Sequence, residues 1–328
     1  MAELRAGTVV HWQRLSPILA IFRLAPERNS PFQDYQSGQY IALRRERCRL
    51  TKRVHGPDGR PHFVPALDAA GNPELGPVTH SYSIASAPFE SQRDHHLEFY
   101  IVLERDGDGT PGRLSSSLLE INPPADDKVT YVNRITGSFT LPRRASGFKS
   151  VVLVGTGTGL APFVSMIKQL HFEASQGAVD GVQYTLLHTN RTYQELAYHQ
   201  ELLAIEASHQ FDFVYLPSVS RPTDRDFGDR RLGRGRANNV LRYILDMPLK
   251  EQDDLTAVLE SGGDVPRARA ALGAAVGPAL PDHVSKGELQ KRIDPARTVI
   301  LTCGNPSLMT DIKHIADTRQ IRFEKEDW

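Results

Sequence analysis

From residue 151 to residue 319, short unbroken apolar runs alternate with helix-length amphipathic stretches, and few folds accept that alternation. The runs are VVLVG (151–155), YTLLHT (184–189), FDFVYLP (211–217) and TVILTC (298–303), and the helical patterns span 161–174, 193–207, 236–246 and 306–319. A strand that is apolar at successive positions must be buried on both faces, as in a parallel sheet covered by helices on either side. The second half therefore predicts a doubly wound α/β domain of the nucleotide-binding type, beginning after LPRRASG (141–147).

The first half follows a different grammar. TVVHW and ILAIFRL, parted by Ser16-Pro17, are followed by SGQYIAL (37–43), LEFYIVLE (97–104) and KVTYVN (128–133), with Gly, Pro, Asn and Asp between them. Short alternating strands with a single helical stretch near Arg113–Glu120 predict a small antiparallel β-barrel. Two segments fit neither half: 44–79, basic and then rich in Pro and Gly, is expected to be an inserted loop, and 246–297 a helical insert. The expected organisation is a barrel domain over 1–145 and an α/β domain over 146–328.

Charge and cysteine content exclude several classes. The 328 residues carry 39 basic and 39 acidic side chains, so attraction to nucleic acid or an anionic membrane as a whole is not expected, and any charged docking must be local. Only Cys48 and Cys303 are present, too few for a four-thiolate iron–sulfur cluster and consistent with a reducing, cytoplasmic setting. No stretch reaches the roughly 18 apolar residues of a membrane span.

Chemistry concentrates in a few motifs. GTGTGLAPF (155–163) follows a buried run and opens a helix; Gly155, Gly157 and Gly159, with Thr156 and Thr158 between them, would let the backbone approach a pyrophosphate beside helix amides. TCGNPSLMTDIK (302–313) ends the last buried run, so Cys303 is expected to project into the crevice at the strand ends. HSYSIASAP (80–88) offers Tyr82 for stacking on a planar ring and Ser83 for its edge, and PGRLSSSLL (111–119) offers Gly112 and Ser115 at a helix start.

In the order HSYS, GRLS, GTGTGLAPF, VSRP, CGNP and a terminal aromatic, the chain resembles the ferredoxin/flavodoxin–NADP reductase family of the bacterial type. The resemblance implies an FAD-holding barrel followed by an NADP(H)-holding α/β domain. It places the flavin-stacking pair on Tyr82 and Ser83, the flavin pyrophosphate motif on Gly112 and Ser115, and the nicotinamide-side cysteine on Cys303. The glycine-rich NADP loop falls on Gly155 to Gly159. Where the family usually has a phosphate-binding Arg, this chain has His80, which offers one donor in place of a charged fork; FAD stays favoured over FMN because the second phosphate motif is intact. For the 2′-phosphate the resemblance points to Arg191, Ser220 and Arg221, with Arg234 and Arg236 nearby, and hence to NADP(H). Trp328 corresponds to the terminal aromatic that lies against the flavin, and Glu326 to a glutamate that assists proton movement. The implied reaction is hydride exchange with NADP(H) and single-electron exchange with ferredoxin or flavodoxin. An acidic carrier of that kind would dock near the basic run Arg44–Arg53. Two alternatives are a reductase component that feeds an oxygenase and a non-catalytic flavin- and nucleotide-sensing subunit.

Overall fold

The computed structural model describes residues 3–326 apart from 28–30, 56–58, 60, 106, 108 and 179. It divides into two units, the first ending at Thr140 and the second beginning at Leu141.

The first unit contains β1 (Leu4–Ser16), β2 (Leu19–Pro26), β3 (Tyr40–Arg49), β4 (Thr51–His55), β5 (Pro61–Pro65), β6 (Leu75–Ser83), α1 (Pro88–Asp94), β7 (Leu97–Val102), α2 (Arg113–Leu119) and β8 (Lys128–Thr136). Six strands form one antiparallel sheet in the order β6-β3-β8-β1-β2-β7. Its two edges are linked where Ala85 N–H donates to the Glu98 carbonyl at 2.8 Å, curling the sheet into a barrel. Phe22, Leu24, Leu43, Phe99, Ile101 and Tyr131 point inward, and Leu114 and Leu118 of α2 join the same core. Each such fully buried side chain contributes about 1.5–3 kcal/mol relative to exposure.

The segment 44–79 is not a loop. Its first residues continue β3, β4 and β5 pair as an antiparallel hairpin, and β6 begins at Leu75. A bulge between Arg45 and Cys48 turns both Glu46 and Arg47 to solvent while Cys48 returns to the core, which breaks the alternation expected of a strand. α1 was also unforeseen; Pro88 opens it and Glu90 Oε2 accepts from Ala87 N–H at 2.8 Å.

The second unit contains α3 (Leu141–Arg144), β9 (Ser150–Thr156), α4 (Ala161–Ser175), β10 (Gln183–Asn190), α5 (His199–Ala207), β11 (Phe213–Val219), α6 (Asp224–Gly228), β12 (Gly233–Arg234), α7 (Ala237–Ile244), α8 (Lys250–Ser261), α9 (Val265–Gly273), α10 (Lys286–Arg292), β13 (Thr298–Cys303), α11 (Pro306–Thr318) and β14 (Arg322–Lys325). All six strands are parallel, ordered β12-β11-β10-β9-β13-β14. The chain runs outward from β9 to β12 and returns on the other side of β9, so the order reverses between β9 and β13. That reversal is where open α/β sheets leave a crevice at the carboxyl ends of their strands. The helix expected over 193–207 is shorter, because Tyr198 takes the left-handed conformation (φ 60°) and α5 starts only at His199. Among the described residues no helix is long and apolar enough to cross a membrane.

The reversal point is closed by glycine. A Cβ on Gly159 would stand 2.2 Å from the Cys303 carbonyl oxygen, and one on Gly304 would stand 2.3 Å from Thr156 Oγ1. Gly157 is different: it has φ +56° and nothing within 4 Å of its Cβ position. A Gly159→Ala substitution should therefore cost about 3 kcal/mol by forcing the backbones apart, whereas Gly157→Ala should cost about 1 kcal/mol from local strain alone. Urea denaturation of the two variants measures this, and equal losses would contradict the packing argument.

Candidate functional site

In the first unit Tyr82, Gly112 and Ser115 lie beside Glu104. Tyr82 pairs with Ile41 in the β3–β6 ladder and is half-buried against the barrel core, with the exposed His80 two residues earlier on the same strand face. Burial, reinforced by the Glu104 carboxylate, pushes the Tyr82 hydroxyl well above its ordinary range, so the ring is neutral. Ser83 is buried opposite Tyr40.

Ser115 is 1% exposed, and its Oγ accepts from Glu104 N–H and donates to the Gly112 carbonyl, both at 3.2 Å. Its hydroxyl thus fastens the turn and is already engaged on both sides. Gly112 is required by the same contact, since its Cβ would lie 2.7 Å from Ser115 Oγ. Any approach of a phosphate to this turn would be to its backbone amides.

In the second unit a cleft of about 730 Å³ opens at the carboxyl ends of the parallel strands. Thr156 and Gly157 reach it from β9, Asn190 and Arg191 from β10, Ser220 from β11 and Asn305 from β13. Asn190 anchors the turn after β10: its Nδ2 donates to the Glu195 carbonyl at 2.7 Å, and its backbone carbonyl accepts from Ser220 N–H at 2.9 Å. Asn305 N–H donates to Thr156 Oγ1 at 3.3 Å, while its side chain caps α11 through Leu308 N–H at 3.2 Å.

The expected phosphate residues divide. Arg191, Ser220 and Arg236 line the cleft; Arg221 and Arg234 do not. Arg221 is exposed beside Arg191, to whose carbonyl its N–H donates at 2.8 Å, and its guanidinium makes no ion pair among the described residues. Arg234 lies over the Phe227 ring at 4.8 Å. Of the glycine-rich loop, Gly155 and Gly159 face protein backbone or side chains rather than open space, and only Gly157 with Thr156 reaches the cleft; Thr158 does not.

Cys303 does not line this cleft as expected. It is fully buried and donates its thiol to Glu326 Oε2 at 3.0 Å, while Glu326 N–H donates to the Thr302 carbonyl at 3.1 Å. Burial pushes the thiol well above its ordinary pKa, and the Glu326 carboxylate adds to the effect, so Sγ keeps its proton at neutral pH. Trp328 lies outside the described residues.

Sequence reasoning missed Asn238, Asn239, Lys250 and Glu251, which also line the cleft. The two asparagines open α7 right after the basic run RRLGRGR, and their position at a helix start was the one available signal. Lys250 and Glu251 belong to the insert, where nothing in the local sequence points to a ligand.

The oxidoreductase NAD-binding domain family matches residues 153–254. The ferredoxin–NADP reductase of Pseudomonas aeruginosa is 28% identical over 204 residues, 60% of this chain and 72% of the relative. That of Azotobacter vinelandii is 26% identical over 265 residues, 78% of this chain and 83% of the relative. The crystal structure of a ferredoxin NADP+ reductase from Neisseria gonorrhoeae with bound FAD and NADP shares the fold, with a TM-score of 0.58 at 18% identity and 99% of each chain covered. The chain thus carries an oxidoreductase NAD-binding domain, and in sequence and in its barrel-plus-doubly-wound-sheet fold it is similar to ferredoxin–NADP reductases.

Proposed function

We propose that this chain is an FAD-dependent NADP(H) oxidoreductase whose protein partner is a ferredoxin or flavodoxin, acting in the cytoplasm. The observation that carries the nucleotide half is the cleft at the strand-order reversal, where Gly157, Arg191 and Ser220 converge on adjacent strand ends, with Arg221 outside the lining but tied by its backbone N–H to the Arg191 carbonyl. A cleft of about 730 Å³ is of the size that takes a nucleotide-sized ligand. The barrel unit suits a flavin, because Tyr82 offers a neutral, half-buried ring and the Ser115-fastened turn at Gly112 offers backbone amides. Both cysteines are free thiols, in keeping with a reducing compartment.

When bound, FAD and NADP(H) supply the redox chemistry, hydride passing between their rings and single electrons between the flavin and the protein partner. The chain's residues bind and orient. Tyr82 provides the stacking face and Ser83 a polar edge beside it. Gly157 lets the backbone come close to phosphate, and Asn190 and Asn305 hold the strand ends in register. Cys303 Sγ donates its proton to Glu326 Oε2 at 3.0 Å, a buried pair that holds the end of β13 against the chain after β14.

The choice of NADP(H) rests on Arg221. Arg191 is already 3.4 Å from Glu195, whereas the Arg221 guanidinium makes no ion pair among the described residues and is available to a 2′-phosphate. Arg221→Ala should weaken NADPH binding about tenfold, discounted for its exposure, and change NADH less than twofold. Fluorescence titration of both nucleotides checks this; equal losses would move Arg221 away from the 2′-phosphate.

Docking of an acidic carrier is proposed on the β3–β5 surface. Arg44 pairs with Glu46 at 2.7 Å, and Arg45 is held by Asp126 and by Ser117 Oγ at 3.2 Å, so neither is free to steer a partner. Arg47, Arg49, Lys52 and Arg53 are exposed and make no ion pair among the described residues, with Phe63 exposed on the same hairpin. Charge reversal at Arg47, Arg49 and Arg53 should slow reduction of ferredoxin or flavodoxin about tenfold at low salt and flatten its salt dependence. Stopped-flow rates with the carrier test this, and rates indifferent to salt and to these substitutions would remove the hairpin from docking.

A further inference from the structure

The insert builds one side of the cleft. α8 contributes Lys250, Glu251 and Asp254, and the end of α9 with the residues after it contributes Ala271, Ala274 and Val276. α8 is fixed in place by buried polar contacts. Arg242, 1% exposed on α7, donates to Asp311 at 3.0 and 2.6 Å and to Asp253 at 2.6 Å. Asn239 accepts from Lys250 N–H at 3.0 Å and donates to Glu251 Oε2 at 2.8 Å. The remaining Glu251 oxygen accepts from the Arg236 guanidinium at 3.3 Å, and that arginine side chain is 65% exposed.

Three cations line the cleft, and each has a carboxylate partner: Arg191 with Glu195 at 3.4 Å, Arg236 with Glu251 at 3.3 Å and Lys250 with Asp254 at 2.5 Å. They are not equivalent. The Lys250–Asp254 pair is four residues apart on a partly exposed helix face, a weak pair easily released to a ligand. Glu195 is buried but does not line the cleft. Glu251 is both 8% exposed and part of the cleft wall. A buried carboxylate depends strongly on its cation, because losing the partner leaves an uncompensated charge out of water. Arg236 is therefore costly to redirect toward a phosphate, and Glu251 also presents its own negative charge to a phosphate placed beside Arg236.

We propose that Glu251 is a specificity-determining residue of the nucleotide cleft: by holding Arg236 and facing the ligand, it restrains binding of the phosphate that distinguishes NADP(H) from NAD(H). This inference rests on the cleft being the nucleotide site. Preference for NADP(H) is then a balance, in which Arg221 favours the additional phosphate and Glu251 opposes it.

The test is calorimetric binding to the flavin-loaded protein. Glu251→Gln keeps the acceptor for Asn239 and the side-chain shape while removing the charge. It should tighten NADP+ and 2′,5′-ADP about tenfold, the release expected for one charge-assisted contact, and change NAD+ and 5′-AMP less than twofold. Glu251→Ala, which also removes the Asn239 contact, is the second variant and should raise the NADP+ to NAD+ affinity ratio in the same direction. A purely structural role would move both nucleotides alike and leave the ratio unchanged, which overturns the proposal, as would a ratio that falls. If the wild-type protein binds neither NADP+ nor NAD+, the nucleotide reading of the cleft fails and this inference with it; binding by the wild type with an unchanged ratio in both variants rejects Glu251 alone.

Discussion

The second unit depends on one steric constraint, the contact of Gly159 with the backbone of Cys303 and Gly304. At this point the parallel order reverses, and no side chain can stand between the turn after β9 and the end of β13. The glycine-rich loop is thus built mainly to let backbone meet backbone. Gly155 lies against Leu160 and Phe163, Gly159 against Cys303, and only Gly157 turns to open space. Because the contact is so close, the ends of β9 and β13 are fixed with respect to each other, and with them Thr156, Asn305 and the buried Cys303–Glu326 pair. The crevice is a consequence of topology, and the glycines determine how tightly its floor is drawn.

A second layer is electrostatic. Taking Arg242 out of water would be strongly unfavourable if it were alone, yet Asp311 and Asp253 surround it, and Asp311 lies below the usual carboxylate range because the hydrogen bonds from Arg242 and Asn238 outweigh its burial. This cluster ties α7, α8 and α11 together and so turns an insert into a rigid wall of the cleft. The same need for compensation recurs at the surface of the cleft, where every lining cation carries a carboxylate partner. On the proposed nucleotide reading, a phosphate entering the cleft would have to compete with these internal ion pairs.

The four inner strands of the parallel sheet, β9, β10, β11 and β13, were legible because each is buried on both faces and only apolar runs satisfy that, whereas the short edge strands β12 and β14, the latter the partly exposed RFEK, carry no such run and were missed. The barrel strands 7–24 and 97–104 were legible through alternation. What failed did so for identifiable reasons. β3 continues into a charged run through a bulge, so Glu46 and Arg47 both face water and the period of two is lost. Arg44 and Arg45 looked like free positive charge, but their partners Glu46 and Asp126 are set by sheet geometry, the second of them remote in sequence. Tyr198 breaks a helical pattern by a backbone conformation that composition does not announce. Tyr82, Ser115, Gly157, Arg191, Ser220 and Cys303 were singled out from sequence, and of these the structure places Gly157, Arg191 and Ser220 on the cleft. That Ser115 is spent on the turn and Cys303 on Glu326 required coordinates, since both depend on partners outside the motifs.

The central claim is that the barrel unit carries a flavin reducible by the nucleotide held at the strand-order reversal. Anaerobic titration of the purified yellow protein with NADPH tests it most directly, followed by the visible flavin absorption. Stoichiometric bleaching by NADPH, restored on adding oxidised ferredoxin or flavodoxin, is the predicted result. A flavin that stays oxidised in excess NADPH, or a purified protein without flavin, would contradict the account.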